Sequence, residues 1–419
     1  MKRAARGPKP EDGGRKAPRA RGRLSLLLGR WSLVLLALAC LLTFSSCRGP
    51  AGPKPGRTRL ASRLVVIPAQ LYGNHLVVEV EGDKRGPARF LIDTGSSVTL
   101  ITPDYASRFA TELAALDTPQ VRVRAANGEL TTLTSVTLRR IALGDARFEN
   151  VQALVYDCAE LSAHLGVKLD GVLGFPLFRD TILTLDYPQS RLIVTPAGEP
   201  PLTPGARIAF DNTTKVPLIP IQLGDKTLLA LIDSGSDGPL NLNPVGLGDL
   251  RWVSTPRPGA SVGTLLGNRM QEVGRLADTL QIGLYPLPEP VVDLTDELSS
   301  LGGEVLRHFT ITFDQARGNV TFHRETPAPL PTPPKRSLGL SFAKTPAYWR
   351  VASVVPGSPA DTLGVQVGDL ITRLNGELVE KWDLRRYREL IDQAVAIDVT
   401  LLDGRVETTR RIEVFDLVR

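Results

Sequence analysis

Two aspartates in matched contexts are the residues of this chain best suited to chemistry. Each follows a largely apolar run and opens a short motif, Asp93–Ser96 (Asp-Thr-Gly-Ser) and Asp233–Ser236 (Asp-Ser-Gly-Ser), and the two lie 140 positions apart. A lone buried carboxylate is costly, so each aspartate needs a partner. Two carboxyl groups a few ångströms apart share one proton, so one can activate a water molecule while the other donates to a carbonyl oxygen. The pair therefore predicts amide hydrolysis without a metal or a covalent intermediate.

The residues after each aspartate suit such a pair. The glycine of each motif lacks a Cβ atom and lets two backbones approach closely. The hydroxyl residue directly after each aspartate is expected at the meeting point, and the serine that closes each motif is expected to hydrogen-bond a carboxylate and fix its orientation. These supporting residues are Thr94, Gly95, Ser96, Ser234, Gly235 and Ser236.

The two motifs belong to an internal duplication of a strand-rich region. A glycine-containing apolar run at Gly171–Phe178 recurs at Leu301–Leu306, with Gly174 matched by Gly302, and Asp186 recurs at Asp314; both matches are 128 positions apart. Alternating residues with a terminal glycine predict a strand and a hairpin before each catalytic motif. Asp186 and Asp314 each lie between a strand and a turn, which favours a structural role.

Proline-rich segments at 196–205 and 326–334 divide the body of the chain. Helical signals are few and short, at 103–113 and 159–165. The predicted division is a signal or lipoprotein-like segment at 1–47, a tether at 48–64, a first lobe at 65–200, a second lobe at 201–327, a proline-rich linker at 328–336 and a further domain at 337–419.

With its two aspartate motifs and its duplication, the sequence resembles the aspartic proteases. The resemblance covers residues 65–327 and is to a single chain with two retropepsin-like or pepsin-like lobes. The resemblance includes the apolar-Gly signature at Val172–Gly174 and, with a serine in place of one apolar residue, at Ser300–Gly302. It implies a mainly β, two-lobed β-barrel fold with the active site between the lobes. It also implies a polypeptide substrate, a monomer with an internal pseudo-twofold, and a β-hairpin flap whose candidate tip is Asn127 and Gly128. A second hairpin near 265–268 is its candidate counterpart.

The C-terminal segment resembles a bacterial-type PDZ domain, an α+β fold that takes an extended or C-terminal peptide as an added strand. The resemblance rests on the runs 337–342, 349–360 and 363–376. It implies a carboxylate-binding loop at Leu338, Gly339 and Leu340, and a groove between the strand from Leu340 and a helix at 383–393. A PDZ domain that only braces the molecule is the alternative.

The N-terminus has the order of parts of a secretory signal. Ten of the 50 Lys and Arg residues lie within residues 1–30 with only two acidic residues, and an apolar run follows at 31–44. Small residues before Cys47 resemble a bacterial lipoprotein signal and make this cysteine the candidate for lipidation. An uncleaved anchor and simple secretion are the alternatives. All three place the body outside the cytoplasm, and the first two tether it to a membrane, in the bacterial periplasm or on the cell surface.

Composition excludes several other classes. The first 30 residues carry a charge of +8 and the remaining chain carries −2, with no dense basic run, so nucleic acid is not an expected partner. The histidines, at 75, 164, 308 and 323, lack the spacing of metal ligands. No metal or other cofactor is therefore expected. Cys158 is alone in the body and is interpreted as a small buried apolar residue.

Two alternative functions deserve comparison with an aspartic endopeptidase. A PDZ-containing serine protease would use Ser234, but Ile232 and Ser236 replace the glycines expected in that motif, and Asp93 would be unexplained. A membrane-tethered peptide-binding scaffold without catalysis would not need two facing buried acids. The sequence therefore favours the endopeptidase.

Overall fold

The computed structural model describes residues 56–111, 119–124, 130–202, 204–259, 262–264, 267–269 and 271–419. None of the helices in these ranges has the length and apolar character that a membrane span requires. Residues Pro55–Arg419 cluster as one unit, in which the two lobes and the C-terminal domain contact one another.

The first lobe is a set of β-strands with two short helices. Helix α1, Pro103–Phe109, begins where the Thr102 hydroxyl accepts the Tyr105 N–H, and helix α2, Ala159–Leu165, ends at Gly166, which adopts a left-handed conformation (φ +74°). The strands are β1 Arg57–Leu60, β2 Val65–Tyr72, β3 His75–Asp83, β4 Gly86–Asp93, β5 Thr99–Ile101, β6 Gln120–Arg124, β7 Leu130–Leu143, β8 Ala146–Val155, β9 Gly171–Gly174, β10 Thr181–Asp186 and β11 Arg191–Pro196, and the helices are α1 Pro103–Phe109 and α2 Ala159–Leu165.

Strand β1 corrects the predicted tether at 48–64. Residues 57–60 pair antiparallel with β8, with Arg57 opposite Glu149 and Leu60 opposite Ala146. An edge strand needs only backbone partners, and Leu60 also packs against the core. The lobe therefore begins before residue 65.

The second lobe repeats the strand-rich architecture. Its apolar residues pack with those of the first lobe in one continuous core. The strands are β12 Ala206–Ala209, β13 Leu218–Leu223, β14 Lys226–Ile232, β15 Leu240–Leu242, β16 Trp252–Pro258, β17 Val262–Thr264, β18 Gly267–Arg269, β19 Glu272–Leu276, β20 Leu280–Ile282, β21 Tyr285–Leu287, β22 Val291–Leu294, β23 Ser300–Leu301, β24 Thr310–Asp314 and β25 Asn319–His323, and the helix is α3 Gly303–Leu306.

A sheet shared by the two lobes fixes their relationship. Its strand order is β12-β25-β24-β10-β11-β2, so β24 of lobe 2 pairs with β10 of lobe 1. Thr184 lies opposite Thr312, 128 positions later, and their hydroxyls are 2.9 Å apart. Ile182 lies opposite Asp314 and Asp186 opposite Thr310, which is the register of a local twofold through the threonine pair. The duplication in the sequence is therefore a pseudo-twofold in the fold.

The C-terminal domain has its own apolar core. Its elements are β26 Lys335–Ser337, β27 Leu340–Lys344, β28 Trp349–Val354, β29 Leu370–Leu374, β30 Glu377–Leu378, β31 Ala396–Asp403, β32 Val406–Glu413, β33 Phe415–Val418, α4 Pro359–Thr362 and α5 Leu384–Gln393. The main sheet has the order β27-β28-β29-β31-β32, with β27 at its edge. Strand β26 pairs with β33, so Lys335 and Arg336 lie in a strand and not in the predicted linker 328–336.

Candidate active site

The two aspartates occupy equivalent places at the ends of paired strands. Asp93 ends β4, which runs parallel to β9 and places this aspartate opposite Gly174. Asp233 follows β14, which runs parallel to β23 with Ile232 opposite Leu301. The apolar-Gly segment of each lobe therefore supports the strand that carries the aspartate.

The motif glycines bring the two carboxyl groups together. A Cβ atom on Gly95 would lie 2.5 Å from Asp233 Oδ1, and one on Gly235 would lie 2.5 Å from Asp93 Cγ. Real Cβ atoms do not approach other atoms so closely, so each glycine is needed for the carboxyl group of the opposite lobe to fit. Asp93 and Asp233 consequently meet at the lobe interface.

A reciprocal hydrogen-bond network lies beside this pair. The Thr94 N–H donates to Ser234 Oγ at 3.0 Å, and the Ser234 N–H donates to Thr94 Oγ1 at 3.0 Å. Each hydroxyl then donates across the interface, from Thr94 to the Ile232 carbonyl at 2.6 Å and from Ser234 to the Ile92 carbonyl at 2.8 Å. Thr94 and Ser234 are 1% and 0% exposed, so Ser234 is not accessible as a nucleophile.

The serines that close the motifs differ from expectation. The Ser96 hydroxyl donates its single proton to the Val98 carbonyl at 2.8 Å, so the prediction that it orients a carboxylate is wrong. Ser236 Oγ accepts a hydrogen bond from Asn241 Nδ2 at 3.4 Å. Backbone N–H groups hold the carboxyl groups instead, because each loop turns back over its aspartate; the Gly235 N–H lies 2.9 Å from Asp233 Oδ1.

The two aspartates are electrostatically unequal. Burial, followed by the facing charge of Asp233, raises the pKa of Asp93 well above its usual value. Burial also raises the pKa of Asp233, but the Gly235 N–H and the charge of His75 oppose the shift. A side-chain hydrogen bond joins the two carboxyl groups, and Asp93 Oδ1 is buried with no partner among the described residues. Both pKa values are therefore raised, that of Asp93 well above its usual value, as expected of two coupled carboxyl groups that share a proton.

His75 is a site residue that sequence reasoning missed. Its side chain is buried, with Nδ1 3.2 Å from the Tyr72 carbonyl and Nε2 3.1 Å from the Gly235 carbonyl. Carbonyl oxygens only accept, so both bonds form only when each ring nitrogen carries a proton. Its position at the start of β3 was visible in the sequence, but its contact with a loop 160 residues away was not.

Asp237, directly after the second motif, was also missed. Its Oδ1 accepts the Asn74 N–H at 2.7 Å, and its Oδ2 accepts a hydrogen bond from Arg388 Nη2 at 2.9 Å. Burial would raise the pKa of Asp237, but Arg388, His75 and the Asn74 N–H together hold it below its usual value. The carboxylate therefore remains charged and joins both lobes to the C-terminal domain.

The predicted carboxylate loop lies at the start of edge strand β27. Leu338 is buried, and Gly339 adopts φ +80°, a conformation that suits glycine. The Gly339 N–H donates to Ser337 Oγ at 2.9 Å. Leu340 begins β27, and Phe342 of this strand packs against Tyr387 of α5 with ring centroids 5.5 Å apart, so the strand and the helix predicted to form the groove are neighbours.

Lobe 1 packs against the far end of this groove. Lys344, the last residue of β27, donates from Nζ to the His164 carbonyl in α2 at 3.3 Å. A cavity of about 890 Å³ lies between α2, the loop after β27 and the start of α5, and both Trp382 and Leu384 line it.

Three further residues considered in the sequence analysis lie in the described part of the chain. Asp186 pairs with Arg191 at 2.8 Å and Asp314 with Arg317 at 2.8 Å, contacts of the kind that a structural role predicts. Cys158 is fully buried, and burial raises its pKa to about 12, as expected of a small apolar residue.

The flap tip and the lipidation candidate are not placed. Arg124 pairs with Leu130, so β6 and β7 form the hairpin that flanks the flap candidates Asn127 and Gly128. These two residues lie outside the described ranges, as does Cys47. Among the described residues, no cluster of three or more His, Cys, Asp or Glu side chains could hold a metal ion.

Comparison with known proteins agrees with both resemblances. Residues 76–177 match the family model of aspartyl proteases, and residues 350–402 match that of PDZ domains. The chain therefore combines an aspartyl-protease-like region with a C-terminal PDZ domain, on a mainly β fold.

Among solved structures, the chain is similar to a retropepsin-like aspartic protease from Rickettsia conorii. The identity is 22%, the match covers 34% of this chain and 95% of that one, and the TM-score is 0.22. Comparison with the curated proteins finds no match.

Proposed function

We propose that this protein is an aspartic endopeptidase in which Asp93 and Asp233 hydrolyse peptide bonds through an activated water molecule. The observation that carries the proposal is the meeting of two half-buried carboxyl groups at a pseudo-twofold, each placed against the motif glycine of the other lobe. Burying two acids face to face is costly, and the reciprocal Thr94–Ser234 network holds them in that arrangement.

The inequality of the pair assigns the roles. Asp233, which His75 helps to keep ionised, takes a proton from the attacking water. Asp93, whose pKa is raised by burial and by its neighbour, donates its proton to the carbonyl oxygen of the substrate. The tetrahedral intermediate then collapses: Asp233 gives the proton it took from water to the leaving nitrogen as the C–N bond breaks, and Asp93 takes back a proton from a hydroxyl of the intermediate. The pair returns to its starting state, and no bond to the enzyme forms.

Cleavage of a peptide library by the full chain, purified in detergent, tests this proposal. We expect the wild type to cleave and both Asp93→Asn and Asp233→Asn to lose activity. Asp314→Asn is the matched control, because it removes the carboxylate of a duplicated aspartate that pairs only with Arg317 in a structural role. It should retain cleavage.

The alternatives predict different results. Cleavage that persists in both aspartate variants would overturn the shared-proton mechanism. A folded wild type that cleaves no peptide, yet binds peptides, would favour the scaffold.

We further propose that the PDZ groove between β27 and α5 binds an extended or C-terminal peptide. The edge position of β27 in its sheet and the left-handed Gly339 loop at its start support this role. The cavity of about 890 Å³ at the other end of the groove offers space for residues upstream of the bound terminus. Gly339→Val should weaken binding of a labelled C-terminal peptide, because a β-branched residue disfavours φ +80°.

For the N-terminus we propose lipidation at Cys47 and tethering of the body to the outer side of a membrane. The basic flank, the apolar run and the small residues before Cys47 support this. Labelled fatty acid should be incorporated into the wild type and not into Cys47→Ser. Equal incorporation would exclude this site.

A further inference from the structure

The loop that follows the second aspartate is held by the C-terminal domain. Arg388, in α5, donates from Nη2 to Asp237 Oδ2 at 2.9 Å. Asp237 also accepts the Asn74 N–H at 2.7 Å through its other carboxylate oxygen, and the Asn74 side chain donates to the Asp237 carbonyl at 3.0 Å. One carboxylate thus joins the PDZ helix, the β2–β3 turn of lobe 1 and the catalytic loop of lobe 2.

A second ion pair secures the same loop from the same side. Lys335, in β26, places Nζ 3.5 Å from Asp293 Oδ1, and the Asp293 side chain is 4% exposed. A Cβ atom on Gly238 would lie 3.2 Å from Asp293 Oδ2, so this carboxylate is adjacent to the end of the catalytic loop. Asp237 therefore pairs with one cation of the C-terminal domain, and Gly238 lies against a carboxylate that pairs with a second one.

The first catalytic loop has no equivalent arrangement at its matching position. Position 97, which corresponds to Asp237 in the duplication, is an exposed serine without charge. The C-terminal domain therefore breaks the pseudo-twofold at the second aspartate.

One electrostatic contact and two hydrogen bonds connect Asp237 to the catalytic carboxyl group. His75 Nδ1 lies 3.9 Å from Asp237 Oδ1, and His75 Nε2 contacts the Gly235 carbonyl at 3.1 Å. The N–H of the same Gly235 residue donates to Asp233 Oδ1 at 2.9 Å. A shift of Asp237 would move the peptide units that hold Asp233.

We infer that Arg388 is a positioning residue of the active site: through Asp237 it fixes the loop that carries Asp233, so the PDZ domain completes the catalytic centre. The inference rests on the proposed endopeptidase function. Misplacing a reacting group by about 1 Å can cost a hundredfold in rate, so a positioning contact of this kind affects kcat more than substrate binding.

The test compares kcat and KM of full-chain variants on a peptide that the wild type cleaves. Arg388→Met should lower kcat by about ten- to a hundredfold with little change in KM. Arg388→Lys keeps a cation within reach of Asp237 and should restore most of the rate. Asp237→Ser, which introduces the residue of the first loop, should lower kcat to a similar extent. The double variant Arg388→Met with Asp237→Ser should have nearly the same kcat as either single variant, because both changes remove the same contact.

Arg386→Met is the matched control. Arg386 lies on the same helix and pairs with Glu377 at 2.5 Å within the PDZ domain. This variant should keep the wild-type kcat, and circular dichroism should show that every variant is folded.

The outcomes separate the two proposals. If the wild type cleaves and Arg388→Met has an unchanged kcat, the inference is wrong and the proposed function stands. If Arg388→Met and Arg388→Lys are equally impaired, or Arg386→Met is impaired too, the effect is general destabilisation and the inference is overturned. If the wild type does not cleave, the proposed function is wrong and the inference is lost with it.

Discussion

At the scale of residues, the hydroxyl groups beside the aspartates hold the two lobes together where the carboxyl groups meet. Thr94 and Ser234 each accept one backbone N–H and donate to one backbone carbonyl of the opposite lobe. All four interactions are buried, where an unpaired polar group costs about 1–3 kcal/mol.

Thr94→Val should therefore destabilise the protein. It leaves the Ser234 N–H and the Ile232 carbonyl without their partner, at a cost of about 1–3 kcal/mol for each group. Urea unfolding measures the loss. Thr94→Ser, which introduces the residue of the second motif, should have a free energy of unfolding close to that of the wild type. A valine variant as stable as the wild type would contradict the role assigned to the network.

The raised pKa of Asp93 makes stability depend on pH. An unfolded chain releases this proton near pH 3.8, whereas the folded protein retains it to a higher pH. Below the lower pKa both states are protonated; as pH rises toward the folded-state pKa, the unfolded state is favoured and stability falls.

Asp93→Asn should consequently raise Tm at neutral pH, although it abolishes activity. The gain should vanish in acid below the unfolded-state pKa, and differential scanning calorimetry at both pH values measures it. Asp314→Asn should give no such gain, because Asp314 pairs with Arg317. A lower Tm for Asp93→Asn at neutral pH would contradict the buried, unequal pair.

At the scale of elements, Arg275 of β19 fixes the segment between lobe 2 and the PDZ domain. Its side chain is buried and donates to the carbonyl groups of Glu289 at 2.8 Å, Thr332 at 3.1 Å, Pro333 at 2.7 Å and Arg419 at 2.5 Å. The proline-rich segment and the last residue of the chain are therefore bound to lobe 2.

Arg275→Met should expose this segment to proteolysis. Each buried carbonyl group that loses its donor lowers the stability of the closed segment by about 1–3 kcal/mol, so the segment opens more often. Proteinase K should therefore cut within 328–334 at least about tenfold faster. Arg257→Met is the control, because the Arg257 guanidinium stacks over the ring of Phe415 at 5.7 Å, away from the carbonyl groups that Arg275 binds. An unchanged cleavage rate would mean that the segment is held by other contacts.

The strands and their contacts show which features of the fold and of the site the sequence predicts and which it does not. Strands, duplication and motif glycines follow from local patterns, and the 128-residue offset recurs in the pairing of Thr184 with Thr312. Strand β1 was missed because an edge strand needs little apolar sequence. His75, Asp237 and Arg388 were missed because their roles arise from contacts between parts far apart in the chain.

At the scale of the whole molecule, the duplicated lobes supply symmetry and the PDZ domain removes it. The lobes contribute equal motifs, yet His75 and the Asp237–Arg388 contact lie only on the side of Asp233. An unequal pair is what acid-base catalysis by two identical side chains requires, since one must hold the proton and the other must accept one.

The most direct test of the shared-proton pair is the pH dependence of kcat/KM for the full chain. Two coupled carboxyl groups should give a bell-shaped profile. On the acidic limb the rate rises as the pair loses the first of its two protons and reaches the active single-proton state. On the basic limb the rate falls as the pair loses the shared proton. We predict a bell that lies within the acidic to neutral range for the wild type, and no measurable profile for Asp93→Asn or Asp233→Asn. A rate that rises to an alkaline plateau, or a bell that survives either substitution, would contradict the account.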